Sequence, residues 1–205
     1  GVGDHGVRPS NAQDTLGGRN LRGKILRMNP DGSIPADNIL PRRLFWSIGH
    51  RNPGGIAFDP LTGVMYATEG GRQGPNAIVA VPRGANLGWS GRRPSSLDDS
   101  LLPKTLLLFP RGDQTMLTGI AVYRGDAFPR MRGNILFTGN ATPVLWAGRY
   151  DAGKDSLTAE ILYRSNTGFS DVRVGPDGAI YAAVGPYLGS RILKFSPVAP
   201  EFVSD

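Results

Sequence analysis

The run Gly49-His50-Arg51-Asn52-Pro53 holds the residues of this chain best suited to chemistry. An imidazole titrates near neutral pH and can carry protons. A guanidinium presents a rigid fork of donors that matches carboxylates and other anionic oxygens. His50 has two readings, proton transfer or ordering of the turn that presents Arg51, and the second is the expected one. Arg51, set between a strand pattern and a proline turn, serves either in a structural ion pair or as a group offered to a ligand. The other histidine, His5, has no carboxylate or second histidine at ligand spacing, so metal ligation is not expected of it. Trp89, closing Gly84-Ala85-Asn86-Leu87-Gly88-Trp89, reads as a packed loop anchor rather than a substrate platform. Asp31, Asp59 and Asp177 stand in strand connections and read as turn formers. Asn140-Ala141-Thr142 matches a glycosylation acceptor, a triplet too common to carry weight. The absence of cysteine excludes disulfides, thiolate metal sites, c-type haem attachment and a cysteine nucleophile.

The elements that must position these groups are short strands joined by Asp/Pro/Gly turns. Gly55-Ile56-Ala57-Phe58, the turn Asp59-Pro60-Leu61-Thr62-Gly63 and Val64-Met65-Tyr66-Ala67-Thr68 form one strand-turn-strand unit. Asp171-Val172-Arg173-Val174, the turn Gly175-Pro176-Asp177-Gly178 and Ala179-Ile180-Tyr181-Ala182-Ala183 repeat its grammar. A looser copy runs from Gly119-Ile120-Ala121-Val122-Tyr123 to Gly133-Asn134-Ile135-Leu136-Phe137-Thr138. Alternating small and bulky apolar residues suit buried strands, and the turn residues supply the fixed or positive φ that a hairpin needs. Steps of about 64 and 52 residues between copies fit propeller blades with loops. Closing strands are expected at Ala77 to Val81, Val144 to Tyr150 and Arg191 to Phe195. A partial N-terminal unit spans Gly23 to Met28 and the turn Asn29-Pro30-Asp31-Gly32. Gly84 to Leu108 carries few strand signals and reads as a long connecting loop.

Composition agrees with this reading. The 29 Gly and 17 Pro, with 8% aromatic residues, are unlike a helical bundle and favour an all-β fold. The formal charge of +6 invites a nucleic-acid partner, since basic surfaces displace counterions from phosphates. However, the arginines are scattered singly or in pairs (Arg42-Arg43, Arg92-Arg93), without a basic stripe or interleaved aromatic platform. No nucleic acid is therefore expected, and an acidic partner such as a small redox protein is the alternative use of the charge. No apolar run reaches the roughly 18 residues of a membrane helix, so no span is expected. The chain starts at Gly1 without Met or a signal-like segment, and a processed or fragmentary start is expected.

Gly23-Lys24-Ile25-Leu26-Arg27-Met28-Asn29-Pro30-Asp31-Gly32-Ser33-Ile34-Pro35-Ala36-Asp37-Asn38, Gly49-His50-Arg51-Asn52-Pro53 and Gly84-Ala85-Asn86-Leu87-Gly88-Trp89, with Thr68-Glu69-Gly70 and the blade from Asp171-Val172, resemble the glucose/sorbosone dehydrogenase family. These are soluble aldose dehydrogenases dependent on pyrroloquinoline quinone (PQQ). The resemblance covers essentially the whole chain. It implies an antiparallel six-bladed β-propeller of four-stranded blades, of which residues 1–205 are one partial domain with about three and a half to four blades. It further implies PQQ over the central channel, with calcium polarising it, a sugar substrate, an external electron acceptor and a periplasmic or extracellular location. Arg51 and Asn52 match cofactor-binding positions. The carbonyls of Gly71 and Arg72 match the calcium ligands, and Glu69 becomes either a group near that calcium or a surface residue. Carbonyl ligands do not depend on side chains, but the cation of Arg72 opposes a neighbouring calcium.

Other matched positions have lost their chemistry. The family's histidine base lies upstream of Gly3-Asp4-His5-Gly6, so no catalytic residue is assigned here. A cofactor-contacting glutamine is Gly54, an Asp-Glu pair is about Asn76-Ala77, no lysine stands near Gly139-Asn140-Ala141, and an Arg-Tyr-Arg-Asp run is Gly168-Phe169-Ser170-Asp171. Each charge-assisted contact contributes about 1.5 to 3 kcal/mol, so losing two or three cations that face three carboxylates weakens standard PQQ binding by several orders of magnitude. Two functions follow: an oxidoreductase acting on the CH-OH group of sugars, possible only with blades outside this chain, or a non-catalytic propeller used for binding or assembly. A second chain or protomer completing the ring is a further expectation.

Overall fold

A computed structural model describes residues 3, 20–38, 40, 42–70, 76–89, 104–110, 115–185 and 189–198. They form 13 antiparallel strands in four sheets, and one turn of 3-10 helix at Pro129–Met131. The first sheet pairs β1 (Lys24–Leu26) with β2 (Phe45–Ile48). The second runs in order through β3 (Pro53–Phe58), β4 (Met65–Glu69), β5 (Ala77–Ala80) and β6 (Lys104–Leu108). The third runs through β7 (Leu117–Val122), β8 (Ile135–Gly139), β9 (Val144–Asp151) and β10 (Ser156–Arg164). The fourth holds β11 (Phe169–Val174), β12 (Ile180–Val184) and β13 (Arg191–Phe195). Each sheet is a meander of sequential neighbours, and together they are blades of a partial propeller.

Period-two alternation explains why the blades stack. Successive side chains of a strand point to opposite faces. In β8, Ile135 and Phe137 join Ile78 and Leu106 of the preceding blade, while Leu136 joins Val172, Ile180 and Ala182 of the following one. Strand β9 divides likewise, with Val144 and Trp146 on the first face and Leu145 and Ala147 on the second. In β5, Ile78 faces forward and Ala77 and Val79 face back toward Ile25 and Ala85. A central blade buries both faces, so its strands read as unbroken apolar runs such as Ile135-Leu136-Phe137.

The first strands of neighbouring blades approach so closely that glycine is required. A β-carbon on Gly55 of β3 would come within 2.6 Å of the Thr118 carbonyl oxygen, and one on Gly119 of β7 within 2.5 Å of Asp171 Cα. Threonines strap the same boundaries. The Thr68 hydroxyl donates to Thr118 O at 2.7 Å, and that of Thr118 to Phe169 O at 3.0 Å. Below them, Arg124 forks onto Asp59 at 3.1 and 2.8 Å, and the Tyr123 hydroxyl donates to Gly178 O at 2.7 Å.

Two details differ from the sequence reading, and a third adds to it. The expected loop from Gly84 to Leu108 contains β6, whose buried anchor is Leu106 while Leu108 is exposed; an outer strand shows little alternation because it needs few inward side chains. The same stretch begins with 84–89 running parallel to β2, with Gly84 N–H on Trp46 O at 2.9 Å and Leu87 N–H on Ile48 O at 3.1 Å. In the partial N-terminal unit, β1 pairs with β2.

Candidate functional site

The loop Gly49-His50-Arg51-Asn52 leaves β2 and enters β3. Gly49 has φ +72, a conformation glycine adopts without strain, and it turns the chain so that His50 points inward. His50 is fully buried between Ser47 and Glu69. Its Nδ1 lies 2.6 Å from Glu69 Oε1 and its Nε2 2.7 Å from Ser47 Oγ. A carboxylate accepts only, so Nδ1 carries a proton toward Glu69, and in the neutral imidazole Nε2 accepts from the Ser47 hydroxyl. The other carboxylate oxygen, Glu69 Oε2, accepts the backbone N–H of Arg51 at 3.1 Å and of Asn52 at 3.2 Å. The loop also anchors at both ends: His50 N–H donates to Gly23 O at 3.0 Å, and Trp89 N–H to Gly49 O at 3.0 Å.

Serine, histidine and glutamate in this order have the connectivity of a hydrolytic triad. Ser47 and His50 are both 0% exposed, so no substrate reaches the hydroxyl, and the group acts as a structural tie. Its product is the orientation of Arg51 and Asn52. Arg51 is half-buried with its guanidinium 5.0 Å from the Trp89 ring centre, and Asn52 is exposed. A cation over an indole face is held there by the ring quadrupole. Trp89 is thus an anchor, as its loop suggests, and what it anchors is Arg51.

The altered positions have a packing reason. A β-carbon on Gly54 would come within 2.7 Å of Leu117 O, and one on Gly168 within 2.4 Å of Asn140 O. A glutamine at 54 or an arginine at 168 would need the neighbouring backbone to move. Ser170 and Asp171 lie on β11, and the Asp171 carboxylate pairs with Arg173 at 3.0 Å. Asn76 is fully buried and its carbonyl accepts Phe109 N–H at 2.8 Å. Gly71, Arg72 and His5 lie outside the described residues. Among the described residues no cluster of three His, Cys, Asp or Glu side chains is arranged for a metal, and no helix is long and apolar enough to cross a membrane.

Ser47 and the inward orientation of Glu69 escaped the sequence reading. Glu69 is buried rather than at the surface, and both of its oxygens accept from the His50 to Asn52 loop. A signal was available in the hairpin register: Pro53 pairs with Glu69 across β3 and β4, which puts the glutamate beside the His50 to Asn52 loop.

Comparison with known proteins agrees with this architecture. The family model for glucose/sorbosone dehydrogenase matches residues 1–190, and the chain belongs to that family. It is 28% identical over 211 residues to aldose sugar dehydrogenase YliI of Escherichia coli, covering 96% of this chain and 56% of that protein. Quinoprotein glucose dehydrogenase B of Acinetobacter calcoaceticus is 38% identical over 92 residues, 40% of this chain and 19% of that protein. The apo crystal structure of the soluble aldose sugar dehydrogenase of Escherichia coli superposes with a TM-score of 0.75 at 27% identity, covering 96% of this chain and 59% of that one. The chain spans about half the length of the curated relatives it matches over most of its own length.

Proposed function

We propose that this chain supplies the Arg51 and Asn52 side of a PQQ site in an aldose dehydrogenase, the remaining blades coming from further sequence or a second chain. The observation that carries the reading is the Arg51 guanidinium, fixed over Trp89 by a loop whose backbone is tied to Glu69. One fixed guanidinium and one exposed carboxamide fit an edge of a planar, polyanionic quinone, where they pair with carboxylate or carbonyl oxygens and stabilise charge that builds there. Such a quinone, held there, would supply a hydride acceptor for oxidation of an aldose at C1. Arg51 binds and orients, Asn52 adds a neutral donor and acceptor, and the carbonyls of Gly71 and Arg72 are the proposed calcium ligands. The reading includes an external electron acceptor and a periplasmic or extracellular location.

Titration of PQQ into the full protein with calcium tests it. Arg51→Ala should weaken binding about tenfold or more with unchanged β-sheet circular dichroism; unchanged affinity would mean the cofactor lies elsewhere. A second reading, a propeller kept for binding or assembly, is favoured by Gly54 and Gly168. Their close neighbours leave no room for the longer side chains of the family pattern. No detectable PQQ binding by the full protein would establish it over the first.

A further inference from the structure

We propose that Glu69 is the positioning residue of this site, acting through His50 and the Arg51 and Asn52 backbone rather than by touching a ligand. The inference rests on the reading of Arg51 as a cofactor contact. The exposure and the bonding of the five residues separate their roles. Glu69 is 8% exposed and His50 and Ser47 are 0% exposed, whereas Arg51 is half-buried and Asn52 exposed. The carboxylate spends Oε1 on the imidazole and Oε2 on two consecutive N–H groups. Two successive amides aimed at one oxygen fix the peptide planes on both sides of Arg51 Cα, and with them the direction in which its side chain leaves. The imidazole, held from its far side by the Ser47 hydroxyl, stops the carboxylate from rotating away. The loop is further closed where Gly70 N–H donates to Asn52 O at 3.2 Å.

Two substitutions divide geometry from charge. Glu69→Gln can keep the arrangement: its amide oxygen accepts the two backbone N–H groups, and its NH₂ donates to Nδ1 of the other imidazole tautomer. Glu69→Ala removes every tie. The test follows amide exchange at Arg51 and Asn52 by NMR together with the affinity of the full protein for PQQ at saturating calcium. Glu69→Ala is expected to speed exchange at both amides and weaken PQQ binding about tenfold or more, while Glu69→Gln stays within about threefold of wild type. Should Glu69→Ala not fold, Glu69→Asp, one methylene too short to reach both partners, takes its place with the same expectations. Wild-type exchange at both amides, or faster exchange with undiminished PQQ binding while Arg51→Ala loses it, overturns the inference. Faster exchange with PQQ binding insensitive to Arg51→Ala leaves the positioning intact and refutes the cofactor reading instead.

Discussion

Asp59 shows how a turn former becomes an ion-pair partner once the blades assemble. It accepts from Leu61 N–H at 3.1 Å and from the Thr62 hydroxyl at 2.9 Å, and takes the Arg124 fork from the next blade. Burial opposes its charge, but Arg124, then the Leu61 and Thr62 donors, outweigh it and hold the carboxyl below its ordinary value. A folded value below the unfolded one contributes stability that is fully present above the unfolded value, near 3.8, and is lost as pH falls through the lower folded value. Asp59→Asn should therefore cost about 1 to 3 kcal/mol at pH 7. In denaturant titrations its deficit against wild type should narrow as pH falls from about 4 toward 2. A deficit independent of pH would mean that the cost comes from packing and not from charge. Asp177 shares the turn role and not the burial: the Lys194 ammonium first, then the Tyr181 hydroxyl, hold it at about 2.

Strands and turns were legible because their chemistry is local. The apolar pairs around Asp59-Pro60 and Pro176-Asp177-Gly178, and the closing strands near Ala77, Val144 and Arg191, need only alternation and turn residues to be recognised. Strand β10 was not foreseen: Glu160 and Ile161 are exposed and Leu157 is its buried anchor, so an outer strand lacks the alternating signature. Glycine makes the same point in reverse. The sequence places Gly32 in a turn and Gly119 at the start of a strand, but does not show which of them meets a neighbouring backbone. Yet Gly32 has φ +81 with nothing within 4 Å of a built β-carbon, whereas Gly119 meets Asp171 and Val172 backbone at 2.5 Å. Gly32→Ala should cost about 1 kcal/mol from backbone strain. Gly119→Ala should cost more, about 3 kcal/mol by the upper range of overpacking, because two backbones must part. Equal losses in chemical denaturation would show that the inner strands separate easily.

Across the described residues, neighbouring blades are joined by contacts between residues about one blade length apart in sequence. The Thr68 and Thr118 straps link residues 50 and 51 positions apart, and Thr118 Oγ1 also lies 2.9 Å from Thr138 Oγ1. Thr118→Val keeps the shape and removes the hydroxyl, leaving Phe169 O without that donor. It should lower stability by about 1 to 3 kcal/mol while thermal unfolding remains a single transition, as expected if the straps couple blades into one cooperative unit; two resolved transitions would show that the blades melt separately. By itself the sequence determined the all-β class, the strand-turn-strand units and their family, together with the loop that carries Arg51 and Asn52, because periodicity, turn chemistry and motif order are properties of neighbouring residues. Only the tertiary structure decided that Glu69 points inward to hold that loop, that Ser47 completes the tie, and that Gly54, Gly119 and Gly168 stand where no β-carbon fits. Those outcomes depend on which blade lies against which, and on distances between groups that the chain order separates.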